Sequence, residues 1–258
     1  MVTGASAGIG AELARELAAR GYDLILVARR ADRLGALAEE LRLGTGVSAA
    51  VETCDLIDPG ARLELVERLQ SGETIVTGVC NNAGFGSVGH FSRRPLEREQ
   101  DIVRLNVDAL HHLTGAWLGS MVERGAGAIL NVGSTSAYQP LPGMATYAAT
   151  KAFVQSFSES VHAELAGSGV SVTCLSPGFT RTEFADVAGA GDGQGLTPGF
   201  LTMDAHDVAR AGVEGMIAGR RTVVPGVQNK ATALGGRLVP RSLLLPIARR
   251  VAADRLDG

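Results

Sequence analysis

Aromatic residues make up only 4% of this 258-residue chain, which has three cysteines, two lysines and one tryptophan. Cys54, Cys80 and Cys174 are odd in number, lack CxxC spacing and lie in or beside apolar runs, so they read as reduced core thiols rather than a disulfide framework. No apolar run approaches the roughly 18 residues that a bilayer span requires, and no charged-then-apolar leader precedes the first motif. A cytoplasmic protein is expected. The five histidines (His90, His111, His112, His162 and His206) show neither HExxH nor any comparable ligand spacing, and no metal is expected. A formal net charge of −3 gives no field suited to nucleic acid, and that class of partner is set aside. There is no Pro-, Ser- or charge-rich linker at which to divide the chain, and no repeat of the length that builds solenoids.

What is present is regular. Short apolar runs alternate with longer amphipathic stretches up to about residue 225, the pattern of a doubly wound α/β domain: a Rossmann-like parallel sheet with helices on both faces. Seven strands are expected at 1–3, 23–28, 47–52, 75–80, 128–132, 170–175 and 222–224. Helices are expected at 9–20, 30–41, 61–69, 95–123, 145–166 and 204–218, the fourth divided in two. A single catalytic domain over 1–225 is the reading, with a mobile substrate loop at about 179–199 that is glycine-rich from Gly189. The first strand is oddly short for the centre of a sheet. Either the natural start lies a few residues upstream or this strand is unusually brief.

Between the first strand and the first helix stands Thr3-Gly4-Ala5-Ser6-Ala7-Gly8-Ile9-Gly10. Small residues there let the backbone approach a pyrophosphate, with Gly4, Ser6, Gly8, Ile9 and Gly10 as the candidate contacts, while free N–H groups at the helix start favour negative charge. A carboxylate at the end of the second strand would bind the ribose 2′-hydroxyl of NAD, but the chain reads Val27-Ala28-Arg29-Arg30. Arg29 suits a 2′-phosphate, with Arg30 or Arg33 adding positive potential, and NADP (NADPH) is the expected cofactor.

Tyr147 and Lys151, four residues apart on one helix face, can act on one substrate. With three tyrosines and two lysines in the chain, chance yields such a pair only about 0.02 times. An ammonium near the phenol is expected to draw its pKa down from about 10 towards neutrality. Ser134, at the end of the fifth strand, is the expected carbonyl-polarising donor, with Ser136 the better fit for a turn cap, although the two roles could be exchanged.

These residues together resemble the short-chain dehydrogenase/reductase family, in its NADP-preferring branch of roughly 250 residues, from Val2 to about Pro225. The match also draws on Asn81-Asn82-Ala83-Gly84, Asp55, Asn106 and Pro177-Gly178. The resemblance implies that Asp55 contacts adenine and that Asn82, Ala83 and Gly84 line the cofactor and brace the sheet. It implies that Tyr147 and Lys151 also touch the cofactor, Lys151 through the nicotinamide ribose. Asn106 would hold a water in a proton relay behind Lys151, while Pro177, Gly178, Thr180 and Thr182 would run along the nicotinamide carboxamide.

The expected reaction is hydride transfer between nicotinamide and a carbonyl or secondary alcohol, with Tyr147 as general acid or base. The alternatives are a non-catalytic NADP-binding sensor and a sugar-nucleotide epimerase or dehydratase. Leu141, Met144, Phe184, Leu196 and Phe200 hint at a hydrophobic substrate. From Lys230 onward the tail carries six basic and two acidic side chains, with Pro240 and Pro246 expected to divide any helix. Residues 226–258 read as a tail packed on the domain or a partner, loose attachment to an anionic membrane surface being the rival. The family resemblance implies a homodimer or homotetramer.

Overall fold

The computed structural model describes residues 1–189 and 202–252. Among them, seven strands form one parallel sheet: β1 (Val2–Thr3), β2 (Leu24–Ala28), β3 (Ala49–Thr53), β4 (Gly78–Asn81), β5 (Gly127–Val132), β6 (Val170–Leu175) and β7 (Thr222–Val223). Their order is β3-β2-β1-β4-β5-β6-β7. The chain steps outward in one direction from β1 and in the other from β4, so a crevice forms where the order reverses, beyond the carboxyl ends of those two strands.

Both faces of the sheet are covered, which explains why β2 reads as the unbroken apolar run Leu-Ile-Leu-Val-Ala, buried throughout. Leu24, Leu26 and Ala28 join a core with α1 (Gly8–Ala18), α2 (Ala31–Thr45) and α8 (Ala205–Ile217). Ile25 and Val27 point the other way, to α3 (Pro59–Ser71), α5 (Leu110–Arg124) and α6 (Ala145–Glu164). Helix starts follow local chemistry: the Asp58 carboxylate accepts from the backbone N–H groups of Gly60 and Ala61, with Pro59 in the first turn, and Asp204 caps α8 through His206 N–H.

Two expectations are corrected. The 95–123 stretch does not divide; α4 (Leu96–Val103) runs through a π-helical segment, Arg104–Ala109, into α5. No glycine or proline occurs from Leu96 to Thr114 to end the helix, so the irregularity is absorbed as a widened turn. In the tail, Pro240 separates α9 (Val227–Leu238) from α10 (Arg241–Val251), but Pro246 lies inside α10 without ending it. Water can satisfy the carbonyl that its missing N–H leaves open on this exposed helix. α9 lies against the 3₁₀ turn Thr135–Tyr138, with the Arg237 guanidinium 4.8 Å over the Tyr138 ring. No described helix is long and apolar enough to cross a membrane.

The short β1 is held by its neighbours. The Met1 amine donates to Gly78 O at 2.8 Å, and Cys80 N–H donates to Met1 O at 2.8 Å. Beyond it, Gly10 allows a contact that no other residue could make: a Cβ there would lie 2.3 Å from Gly4 O and 2.5 Å from Asn82 Nδ2. Gly10→Ala is expected to cost about 1–3 kcal/mol through overpacking. By contrast Gly35, exposed in α2 with nothing within 4 Å of its missing Cβ, should gain about 0.5–1 kcal/mol as Gly35→Ala. Urea unfolding midpoints of the two variants should therefore move in opposite directions.

Candidate active site

A cavity of about 570 Å³ opens at the carboxyl ends of the central strands. Among the described residues, every candidate catalytic or cofactor-binding residue read from the sequence borders it except Gly10, Asn106 and the supporting Arg33. Gly10 is spent on the contact with Gly4 that lets α1 begin so close to β1. At Gly4, with φ +65°, a Cβ would stand 2.8 Å from Asn82 Nδ2, so the turn is compressed against the end of β4. Asn82 Nδ2 donates to Thr3 O at 3.0 Å, and Thr3 Oγ1 accepts from the N–H groups of Asn82 and Ala83. The cradle is thus backbone brought within reach of a ligand at the start of α1, a setting that favours anions.

Beside the glycine turn the arginines divide. Arg29 is well exposed and lies 3.8 Å from the Asp55 carboxylate, whose other oxygen accepts from Ile57 N–H at 3.1 Å. Arg30 turns to the glycine turn instead: Nη2 and Nε donate to Ser6 Oγ at 3.1 and 3.2 Å. Its other arm meets Glu183 at 2.9 Å, and Arg33 meets the same carboxylate at 2.6 Å. The sequence reading gave first place to Arg29 and overlooked Glu183, which lies far off in sequence.

Across the cavity, Ser134, Tyr147 and Lys151 converge. The Lys151 ammonium donates to Val132 O at 2.7 Å and lies 5.7 Å from the centre of the Tyr147 ring. Burial dominates both ionisations, pushing the Tyr147 phenol up to about 12, with Ser134 acting in the opposite sense, and the Lys151 ammonium down to about 8. The expected lowering of the phenol by lysine is corrected: burial raises it, and the Lys151 ammonium is engaged by the Val132 carbonyl. Ser134 also caps the 3₁₀ turn, its Oγ accepting from Ser136 N–H at 3.1 Å and lying 2.7 Å from Ser136 Oγ. The capping role preferred for Ser136 belongs to Ser134, which borders the cavity at the same time.

Asn106 lies behind the cavity wall in the π-helical segment. Its Oδ1 accepts from Phe85 N–H at 3.1 Å, while Nδ2 donates to Phe85 O at 3.0 Å and Thr150 Oγ1 at 3.1 Å. This clamps the chain leaving β4 to α6. A Cβ on Gly84 would stand 2.9 Å from Asn106 Oδ1 and 3.6 Å from Lys151 Nζ, so Gly84 is what lets these groups stand together.

A second set of braces escaped the sequence reading. Asn81 Nδ2 donates to Asn131 Oδ1 at 2.9 Å and Thr114 Oγ1 at 3.1 Å, and Asn131 Nδ2 donates to Ser158 Oγ at 3.0 Å. These buried amides tie β4 and β5 to α5 and α6. Two asparagines at strand ends in an otherwise apolar pattern are the signal that could have revealed them.

The segment after β6, which includes the short helix α7 (Phe184–Val187), borders the cavity. Thr135 N–H donates to Pro177 O at 2.8 Å, Thr180 bridges to Met203, and Thr182 lies over Gly8, where a Cβ would be 3.0 Å from Thr182 Cγ2. The Phe184 ring lies 5.2 Å from that of Tyr147. Leu141, Met144 and Phe184 border the cavity, whereas Leu196, Phe200 and most of the glycine-rich stretch fall outside the described residues.

Comparison with known proteins agrees with this geometry. The family model of the short chain dehydrogenases matches residues 1–192. An uncharacterised oxidoreductase of Myxococcus xanthus is 33% identical over 97% of this chain and 96% of its own. An NADP-dependent 3-hydroxy acid dehydrogenase of Salmonella typhi is 35% identical over 74% of this chain and 77% of its own. Among solved structures, a short-chain dehydrogenase from Sphingobium yanoikuyae in complex with NADPH aligns with a TM-score of 0.82 at 35% identity, covering 95% of this chain and 94% of that one. A parallel sheet reversing at β1 and β4, a glycine cradle with arginines at its edge, and these relatives lead to one assignment: the chain belongs to the short-chain dehydrogenase/reductase family and is an NADP-dependent oxidoreductase.

Proposed function

We propose that this protein reduces a carbonyl compound with an apolar flank, Tyr147 serving as the acid that protonates the new alkoxide. The observation that carries the reading is the convergence of Ser134, Tyr147 and Lys151 on one cavity, where burial favours the protonated phenol. A group held neutral is in the form that an acid needs. A pKa of about 12 still lies below the roughly 16 of an alkoxide's parent alcohol, so proton transfer in this direction is downhill.

The residues present fit NADP(H). Glycine positions that a Cβ would fill give a close-approach surface for the pyrophosphate at Gly4, Ser6, Gly8 and Ile9, and Arg29 and Arg30 supply guanidinium groups for the 2′-phosphate. Asp55, which lines the cavity, would meet the adenine, and Asn82, Ala83 and Gly84 would flank the cofactor along the crevice wall. Pro177, Gly178, Thr180 and Thr182 offer backbone and hydroxyl groups at the nicotinamide end. When bound, the reduced nicotinamide supplies the hydride.

The chain's own groups do the rest. Ser134 donates to the substrate carbonyl oxygen and polarises it. Tyr147 delivers the proton, and Lys151, fixed by Val132 O, offers its remaining N–H donors towards the nicotinamide ribose and the phenol. Asn106 is a positioning residue for Gly84 and Phe85, its side-chain amide being engaged by Phe85 and Thr150. Leu141, Met144 and Phe184 support an apolar substituent beside the carbonyl. We further propose that residues 1–225 act as one catalytic unit with the tail against it.

Tyr147→Phe is expected to lower carbonyl turnover by about 10²–10⁴-fold while leaving the NADPH dissociation constant within about twofold. Loss of binding in parallel with turnover would overturn the assignment. Lys151 gives a second test. Its pKa falls from 10.5 to about 8, so the unfolded chain binds the extra proton between those values and stability should rise with pH across that window. The penalty below pH 8 is about 3 kcal/mol at 1.36 kcal/mol per pH unit. The stability difference between the native protein and Lys151→Met, followed by urea unfolding from pH 7 to 10.5, should shift in favour of the native protein as pH rises. A flat difference would mean that the ammonium is not desolvated.

A further inference from the structure

The ionic cluster at the nucleotide end joins two parts of the site that the sequence keeps far apart. Glu183 is the only acidic residue meeting Arg30 and Arg33 among the described ion pairs, and it meets both. Arg30 reaches from that carboxylate to Ser6 Oγ in the glycine turn. The same two guanidinium groups hold the Glu183 carboxyl below the usual carboxylate range. An anion thus already lies across the arginines at the edge of the NADP cradle. It is fixed to the segment that follows β6, next to Phe184, whose ring covers Tyr147.

We propose that Glu183 is a placeholder for the 2′-phosphate of NADP(H), an internal carboxylate that holds Arg30 and Arg33 and yields them when the cofactor binds. The proposal rests on the reading that Arg30 receives the 2′-phosphate together with Arg29, and it adds Arg33 as the second arginine that Glu183 holds. The exchange is electrostatically sound. All three side chains are four- to five-tenths exposed, so each ion pair is worth little and is easily broken. A phosphate carrying nearly two charges and three acceptor oxygens makes stronger, bidentate bonds to guanidinium than one carboxylate does.

The device separates a tethered phosphate from a free one. A free anion must displace Glu183 from bulk solution, whereas the 2′-phosphate of a nucleotide held by the cradle competes at high effective concentration. Glu183 therefore screens the arginines against adventitious anions while conceding them to NADP(H).

The test is titration of the native protein, Glu183→Gln and Arg30→Gln with NADPH and NADH, followed by nicotinamide fluorescence at fixed ionic strength, with inorganic phosphate and 2′,5′-ADP as competitors. Glu183→Gln keeps the shape and removes the charge. It should tighten NADPH by about three- to tenfold, the worth of one or two exposed ion pairs, and leave NADH within about twofold. Inorganic phosphate should compete more strongly against the variant than against the native protein. Weaker or unchanged NADPH binding, or equal tightening of both nucleotides, would overturn the placeholder. Arg30→Gln separates the two levels. If it weakens NADPH selectively while Glu183→Gln fails to tighten it, the placeholder alone falls; if it changes neither nucleotide, the 2′-phosphate subsite falls with it.

Discussion

The constraint on the glycine cradle is the approach of Gly10 to Gly4, where α1 starts so near the turn that leaves β1 that no Cβ fits between them. Everything else in the site is arranged around that approach. It aims the free N–H groups of α1 into the crevice and lets Asn82 reach Thr3 O and Gly4 O from β4. It also gives a two-residue central strand a firm hold between β2 and β4. A side chain at either glycine would separate the turn from the sheet, and the crevice at the strand-order reversal would lose its floor.

Opposite this floor the protein keeps two ionisable groups out of water. Lys151 and Tyr147 are both shifted towards their neutral forms, the opposite of what each would do in solvent beside the other. One carbonyl, that of Val132 at the end of β5, anchors the ammonium, while the amide of Asn106 fixes the β4 exit behind it. The buried chain from Thr114 through Asn81 and Asn131 to Ser158 then locks the helices that carry these groups to the two central strands. These groups are held in place by polar contacts because they sit where the sheet's hydrogen-bond ladder has run out and backbone groups are free to accept or donate.

The ionic cluster beside the glycine turn follows a different logic. Its ion pairs are exposed and individually weak, which suits contacts that are exchanged rather than kept. Arg62, by contrast, is buried and donates to Leu56 O as well as to Asp108. A bond of that kind holds α3 to the helix that carries Asn106.

Much of this was legible in the sequence, because hydrophobic periodicity and glycine spacing are local properties. The alternation of strands and helices, the glycine turn, the Tyr147/Lys151 pair and the missing carboxylate after β2 all follow from residues within a few positions of one another. The precise element ends, the π-helical segment before α5 and the persistence of α10 through Pro246 were decided by packing and exposure. So were the pKa values, since desolvation depends on the whole surrounding shell rather than on the nearest charge. The meeting of Glu183 with Arg30 and Arg33, about 150 residues distant, and the alignment of Asn81 with Asn131 were set by strand order alone. Sequence supplies the candidate residues, but only the tertiary structure brings their charges and amides together, because contacts between strand ends depend on topology and not on spacing along the chain.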